Sequence, residues 1–257
     1  ASFGQTGNAQ IGNAEYLALY GIGNLVTGEG IKNQVYPNQI ANNDLGWEKN
    51  NQYNVGVDAN LWNGLLGVNL DFYYTKTTDM LLDVPVPSVS GFTKSLMNIG
   101  SMQNKGIEVN LSSRKQIGDF HYELTANWSL NRNKVLSLGD EDAPMIVESS
   151  YAGGYYITQV GQPVGCYYLM VQDGIFHNQE ELDSYPHFDT TVVGDFRFVD
   201  ADGDGVLEKD DDRVIVGNYM PDFYYGFGLS LGYKGFDFLA NFQGVYGNEI
   251  LNLERRY

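Results

Sequence analysis

The chain has 257 residues, enough for one large domain or two small ones, and glycine (31) with asparagine (24) makes up over a fifth of it. Aromatic residues reach 14 %, with tyrosine (19) ahead of phenylalanine (13), a composition that favours strands and turns over helices. A net charge of −17 excludes nucleic acid as a partner, because no net positive field exists to neutralise phosphates. The single cysteine, Cys166, excludes an internal disulfide framework and any multi-cysteine metal site, while 43 % hydrophobic content excludes wholesale disorder.

The opening Ala1-Ser2-Phe3-Gly4-Gln5 has neither a basic n-region nor an apolar h-region, so no signal peptide is expected. The chain is then either cytoplasmic or without its beginning. No apolar stretch approaches the roughly 20 residues of a membrane-spanning helix.

In chain order, residues 1–6 read as the upper end of a strand that runs into a long connection, residues 7–46. Period-two alternation, the mark of a strand with unlike faces, then takes over. Tyr53, Val55, Val57, Ala59 and Leu61 alternate with Gln52, Asn54, Gly56, Asp58 and Asn60. After Trp62-Asn63-Gly64, Leu66, Val68, Leu70, Phe72 and Tyr74 alternate with Gly67, Asn69, Asp71, Tyr73 and Thr75. Beyond residues 79–104, Ile107, Val109 and Leu111 oppose Glu108, Asn110 and Ser112. Past a turn at 116–119, Phe120, Tyr122, Leu124, Ala126, Trp128 and Leu130 face away from His121, Glu123, Thr125, Asn127 and Ser129. After residues 136–222, Phe223, Tyr225, Phe227, Leu229, Leu231 and Tyr233 oppose Tyr224, Gly226, Gly228, Ser230 and Gly232. Past Lys234-Gly235, Phe236, Phe238, Ala240 and Phe242 oppose Asp237, Asn241 and Gln243, with Leu239 the exception.

No charge falls on the apolar side of these six segments. Several run to about ten residues, the length that a tilted strand needs to cross a bilayer, and aromatics cluster near their ends. Tight turns alternate with long connections along the whole chain. A bacterial outer-membrane barrel has that arrangement, with short periplasmic turns and long external loops. The fold class expected is all-β, an antiparallel transmembrane β-barrel segment. A soluble β-sandwich, secreted or at the cell surface and binding carbohydrate with a structural calcium, also alternates apolar and polar positions and stays open as the alternative. Counting upward and downward passes gives seven strands, whereas single-chain bacterial barrels use even numbers and leave no edge in lipid. The chain therefore reads as an internal piece of a longer barrel, residues 1–257 forming a partial barrel domain without a plug.

Residues 136–222 hold 18 acidic and 3 basic side chains, a net of −15, against 14 acidic and 12 basic elsewhere. This is expected to be a long acidic extracellular excursion. Within it, residues 200–211 have the spacing of a calcium loop. Asp200, Asp202 and Asp204 supply hard oxygens at positions 1, 3 and 5, Gly205 allows the sharp turn, and Val206 offers its carbonyl. Leu207 would be the buried anchor, Glu208 would bind directly or through water, and Asp211 closes the set with a shorter side chain than the usual glutamate. Residues 194–199 alternate like a strand, so the loop lies outside a helical EF-hand frame. Its possible structural Ca²⁺ would stiffen an external loop without catalytic duty.

His121, His177 and His187 make no spaced ligand set, and Cys166 has no basic neighbour in sequence to activate it. Asp58, Asp71, Glu108, Glu123 and Asp237 fit a wet lumen better than a glycosidase pair. Tyr151, Tyr155, Tyr156, Tyr167, Tyr168, Tyr185 and Tyr219 in the excursion could stack on sugars or pack the loops together.

Several stretches, in order, resemble the SusC/RagA-type TonB-dependent outer-membrane transporters of Bacteroidetes. They are Gly4-Gln5-Thr6-Gly7-Asn8 with Ile11-Gly12-Asn13, then Leu45-Gly46-Trp47-Glu48-Lys49 followed by Gln52-Tyr53-Asn54-Val55-Gly56-Val57-Asp58, then Asp71-Phe72-Tyr73-Tyr74. The most specific is Asn98-Ile99-Gly100-Ser101-Met102-Gln103-Asn104-Lys105-Gly106-Ile107-Glu108. Gly161-Gln162-Pro163, Asp173-Gly174-Ile175-Phe176, Tyr225-Gly226-Phe227 and Phe242-Gln243-Gly244 continue it, and Asp212 looks like a one-residue insertion. The resemblance implies about seven strands of a plugged barrel of about 22. It further implies an active importer of oligosaccharides or peptides that makes no covalent change to its cargo. Its partners would be a SusD-like surface lipoprotein as lid, TonB–ExbB–ExbD as energy source and outer-membrane lipid.

Overall fold

A computed structural model describes residues 1–8, 16–28, 30–92, 94–139, 142–148 and 155–252. The Ile11-Gly12-Asn13 motif, Tyr151 and the chain's last five residues lie outside the described residues. One antiparallel sheet of seven strands dominates: β1 (Ser2–Asn8), β2 (Glu48–Leu61), β3 (Leu66–Thr78), β4 (Ser101–Ile117), β5 (Phe120–Ser137), β6 (Phe223–Tyr233) and β7 (Phe236–Tyr246). Each strand pairs with its neighbours in this series, as the alternation predicts. Left-handed residues close the tight turns: Trp62, Asn63 and Gly64 after β2, Gly118 after β4, Lys234 and Gly235 after β6.

The register brings the apolar positions into continuous rows. One row reads Ala59, Val68, Leu111, Ala126, Phe227 and Phe242, and the next reads Val57, Leu70, Val109, Trp128, Tyr225 and Gly244. The lowest row, beside the tight turns, is Ile117, Phe120, Tyr233 and Phe236, and the highest is Val55, Phe72, Ile107, Leu130, Phe223 and Tyr246. Between them lie about ten residues of strand, roughly 33 Å along the chain and about 25 Å of membrane depth at a 40° tilt. That is the height of a lipid-facing band.

No second layer covers this face among the described residues. Val55 is 55 % exposed, Phe242 62 % and Phe236 81 %, whereas the buried apolar residues (Val135, Leu138, Ile157, Cys166, Tyr167, Phe176, Leu182 and Leu207) all lie beyond the band, from the top of β5 onward. A sandwich would bury the wall's apolar face against a facing sheet. This wall is a single layer.

Strand β4 also runs past its expected end at Ser112, which places Lys115 on the apolar face, in register with Tyr122. It stands one row above the tight turn, where a long stem can carry the ammonium to the headgroups.

The opposite face is a polar ladder. Asn69 donates to Asp58, Asn110 donates to Asn69 at 3.2 Å, and both Asn131 and Asn133 donate to Asn104 at 3.3 and 3.0 Å. Part of the asparagine excess noted in the composition thus has a physical reason, cross-strand amide pairing on a wet face. Gly106 belongs to it as well. A Cβ there would overlap the Leu130 carbonyl and the Tyr73 ring, so the glycine lets Tyr73 lie flat across the strand.

The long connections fold into small sheets above the wall. Tyr20–Thr27 pairs with Gly30–Pro37, and Leu81–Pro85 with Lys94–Asn98. Between β5 and β6 stand a four-stranded sheet (Met145–Glu148, Tyr155–Thr158, Cys166–Met170, Arg213–Gly217), a ribbon of Gln172–Ile175 with Phe196–Phe198, and a short helix, Gln179–Ser184. The Asn178 side chain caps that helix by accepting from the Glu181 N–H at 2.9 Å.

In the full-length barrel, Leu111→Arg at mid-band should lower folding stability by about 2–4 kcal/mol, and Asn110→Arg on the wet face by far less. Urea titration in lipid vesicles measures both, and equal losses would contradict the assignment of faces.

Candidate functional site

The loop predicted to hold a cation is built around backbone N–H groups. Asp200 accepts from Gly203 (2.7 Å) with one oxygen and from Gly205 (2.9 Å) with the other, Asp202 accepts from Asp204 N (3.2 Å), and Asp204 from Val206 N (2.8 Å). Gly203 and Gly205 both have positive φ, which bends the chain tightly enough for these contacts. As a result, one carboxylate oxygen from each of Asp200, Asp202 and Asp204 falls within 4.8 Å of the other two. Three of the six predicted ligands are therefore brought together. Val206 follows directly, exposed, with its N–H on Asp204, and Leu207 is buried. Glu208 and Asp211 are not part of that cluster, and the interaction of the two with each other raises the Glu208 carboxyl.

The electrostatics follow from this packing. The Gly205 N–H, above all, holds the Asp200 carboxyl below its usual range. The Asp204 N–H favours the Asp202 anion, but desolvation, the Asp204 and Asp212 charges and a hydrogen bond with Asp200 outweigh it and leave Asp202 raised. The hydrogen bond to Asp211 and its charge raise Glu208. Oxygen-only donors, a concentrated negative charge and carboxyls raised by one another suit a hard divalent cation.

Sequence reasoning missed Asp212, which looked like an insertion. It is only 1 % exposed, and its two oxygens accept from Ala201 N (2.6 Å) and Glu208 N (2.7 Å), tying the two ends of the loop together. The signal that could have found it is the run Asp210-Asp211-Asp212. Arg213 packs over the Tyr155 ring at 3.4 Å and donates to Asp210 at 3.1 Å.

The other predicted positions divide between packing and solvent. Cys166 is buried, its Sγ 3.3 Å from the Pro163 carbonyl, and burial, then the Glu249 charge, pushes its thiol up, away from the thiolate. Tyr156 contacts Tyr167, whose hydroxyl donates to the Glu249 carbonyl at 3.2 Å, and Tyr185 lies beside Phe176 and under Arg197. Tyr168 is half-buried, while Tyr219 is exposed. His177 and His187 are exposed beside Glu181 and the Tyr185 carbonyl. Asp58, Asp71, Glu108, Glu123, His121 and Asp237 all lie on the polar face of the wall. There Asp71 stands in register with Glu108, and His121 Nε2 lies 3.8 Å from Asp237.

The specific motifs attach the loops to the wall. Asn98 donates to the Gly46 and Asp79 carbonyls (2.9 and 2.8 Å) and accepts from Gly46 N (2.6 Å), so one side chain joins two connections. Glu48 accepts from Leu81 N and Asn8. Gly161 and Gln162 pair with Val135, the Val164 N–H donates to Asn133 at 2.9 Å, and Arg132 bonds Asp222 where the chain returns to β6.

A one-layer wall, dry outside and wet inside, with structured connections at one end, is that of a transmembrane β-barrel of the outer-membrane kind. The chain belongs to the TonB dependent receptor-like, beta-barrel family, which matches residues 1–253. It is 34 % identical to TonB-dependent receptor P26 of Formosa agariphila, over all of this chain and 26 % of that protein. It is 27 % identical to TonB-dependent receptor SusC of Bacteroides thetaiotaomicron, over 96 % of this chain and 25 % of that one. Among solved structures, the RagAB peptide importer in its open-open state superposes with a TM-score of 0.74 at 27 % identity, over 96 % of this chain and 25 % of that one. The chain thus spans about a quarter of the length of these relatives. The SusC/RagA resemblance carried by the motifs is borne out, and the wall is an outer-membrane wall.

Asp212→Ala should leave the Ala201 and Glu208 N–H groups unpaired and lower the local opening free energy of residues 200–212 by about 1–3 kcal/mol. Hydrogen exchange of those amides measures it. Unchanged protection would remove Asp212 from this role.

Proposed function

We propose that the protein containing this wall is an active outer-membrane importer of oligosaccharides or peptides that leaves its cargo chemically unchanged. A SusD-like surface lipoprotein closes over the long-loop end, where residues 136–222 form an acidic extracellular excursion, and TonB–ExbB–ExbD supplies the energy. The observation that carries this reading is the uncovered apolar face, in register across the wall of a chain belonging to the TonB-dependent receptor family. Likeness to SusC and to the RagAB peptide importer supports cargo too large for simple diffusion. Uptake of labelled oligosaccharides and peptides by cells with and without the full-length gene tests it. Uptake should need the gene and should stop when the inner-membrane proton gradient is collapsed. Gene-dependent uptake that survives the collapse would rule out active import.

We further propose that Asp200, Asp202 and Asp204, with the Val206 carbonyl, Glu208 and Asp211 completing the shell, hold a structural Ca²⁺. The cation would relieve the mutual repulsion that raises Asp202 and Glu208. Binding needs both as anions. Because their carboxyls lie above the usual range, affinity should begin to fall at a pH above that range and go on falling as pH drops through it. Calorimetry on the full-length protein should show a Kd of roughly 10⁻⁴–10⁻³ M near neutral pH, lost in Asp202→Asn/Asp204→Asn. No heat at millimolar calcium would eliminate the cation.

A further inference from the structure

Above its aromatic row the outward face of the wall changes character. Phe3, Tyr53 and Tyr74 share a row whose next members are Lys105 and Arg132, and one row higher stand Asn51, Lys76, Gln103 and Lys134. Adjacent strands are about 4.8 Å apart and alternate residues about 6.7 Å, so the Cα atoms of Lys76, Lys105 and Lys134 lie within roughly 10 Å of one another. These two rows and the one above them, from Lys49 through Thr78 to Ser101, contain no acidic side chain. Lys49 and Arg132 are engaged with Asp79 (2.8 Å) and Asp222 (3.0 Å). Among the described residues Lys76, Lys105 and Lys134 have no ion-pair partner, and Lys105 and Lys134 are exposed. The Tyr74 hydroxyl, 3.3 Å from Gln103 Oε1, reaches up from the apolar band into this group.

Three free cations on the outside of a barrel cannot meet cargo in the lumen. In a chain of net charge −17, their convergence at one height needs a local reason. That height is the first above the hydrocarbon band, on the side of the long connections, which is the plane of the outer-leaflet headgroups. We propose that Lys76, Lys105 and Lys134 bind the phosphate groups of an outer-leaflet glycolipid whose acyl chains lie on Val55, Phe72 and Ile107 below. Charge and depth both select such a lipid: the ligand must be anionic at the headgroup and apolar immediately beneath it.

The test uses the full-length protein in neutral detergent, titrated with bisphosphorylated lipid A, with the same lipid dephosphorylated, and with inorganic phosphate. The phosphorylated lipid should bind far more tightly than either control. Lys76→Gln/Lys105→Gln/Lys134→Gln should weaken it about a hundredfold, roughly fivefold per lysine. The corresponding triple arginine variant should keep parental affinity, and heat-modifiable mobility confirms that both variants fold. Equal binding of the dephosphorylated lipid, parental affinity in the folded glutamine variant, or lysine-dependent binding of inorganic phosphate with which the lipid does not compete would overturn the proposal.

Discussion

A sheet one layer thick can keep apolar residues on one face only if the solvent on that face is itself apolar. Everything else in this protein follows from that asymmetry. Val55, Phe72, Ile107, Leu130 and Phe223 line up in one row, and among the described residues no second layer covers them. In water such a surface would collapse or aggregate. In a bilayer it is the solvated state, and the backbone becomes the critical element, because hydrocarbon offers no partner for an open N–H or carbonyl. Strands β2 to β6 are paired on both sides, which meets that requirement within the wall. Among the described residues, β1 and β7 each keep one open row of backbone groups, which hydrocarbon cannot satisfy and a neighbouring strand of a closed barrel can.

The same asymmetry explains what could be read from sequence. Within the band, apolar and polar residues alternate sharply, so the six segments, their faces and their tight turns were all legible. Above the band both faces are wet, and the contrast disappears. Residues 48–51, 101–106 and 131–137 continue β2, β4 and β5 with lysine, asparagine, glutamine and serine on either side, and periodicity has nothing to detect there. The bulge between Ser101 and Met102 is equally silent, because it changes pairing and not composition. Phe3 was too isolated to mark β1 by alternation, yet its register with Tyr53 extends the aromatic row by one strand.

The excursion obeys the opposite rule. It is the part of the chain with an ordinary interior, and its buried residues, Phe176, Cys166, Ile157 and Leu182, come from segments without clear alternation. The role of Asp212 was missed for the same reason. A spacing template assigns side chains by position in a ligand series, whereas burial goes to the carboxylate that can pair two backbone donors at once. The six-residue calcium template therefore located the loop and its first three aspartates but not the residue that closes it.

Charge is sorted by depth as strictly as polarity is sorted by face. The acidic excess lies in the excursion, with a net of −15 over residues 136–222, while the inner face of the wall is mostly neutral asparagine, serine, threonine and glycine joined across strands. Amide ladders pair many of these side chains across strands, and the carboxylates of Asp58, Asp71, Glu108, Glu123 and Asp237 stand among them on the same face. The unpaired lysines stand outside, at the upper border of the band. With no carboxylate in their own rows on the outward face, their charge remains available to the membrane.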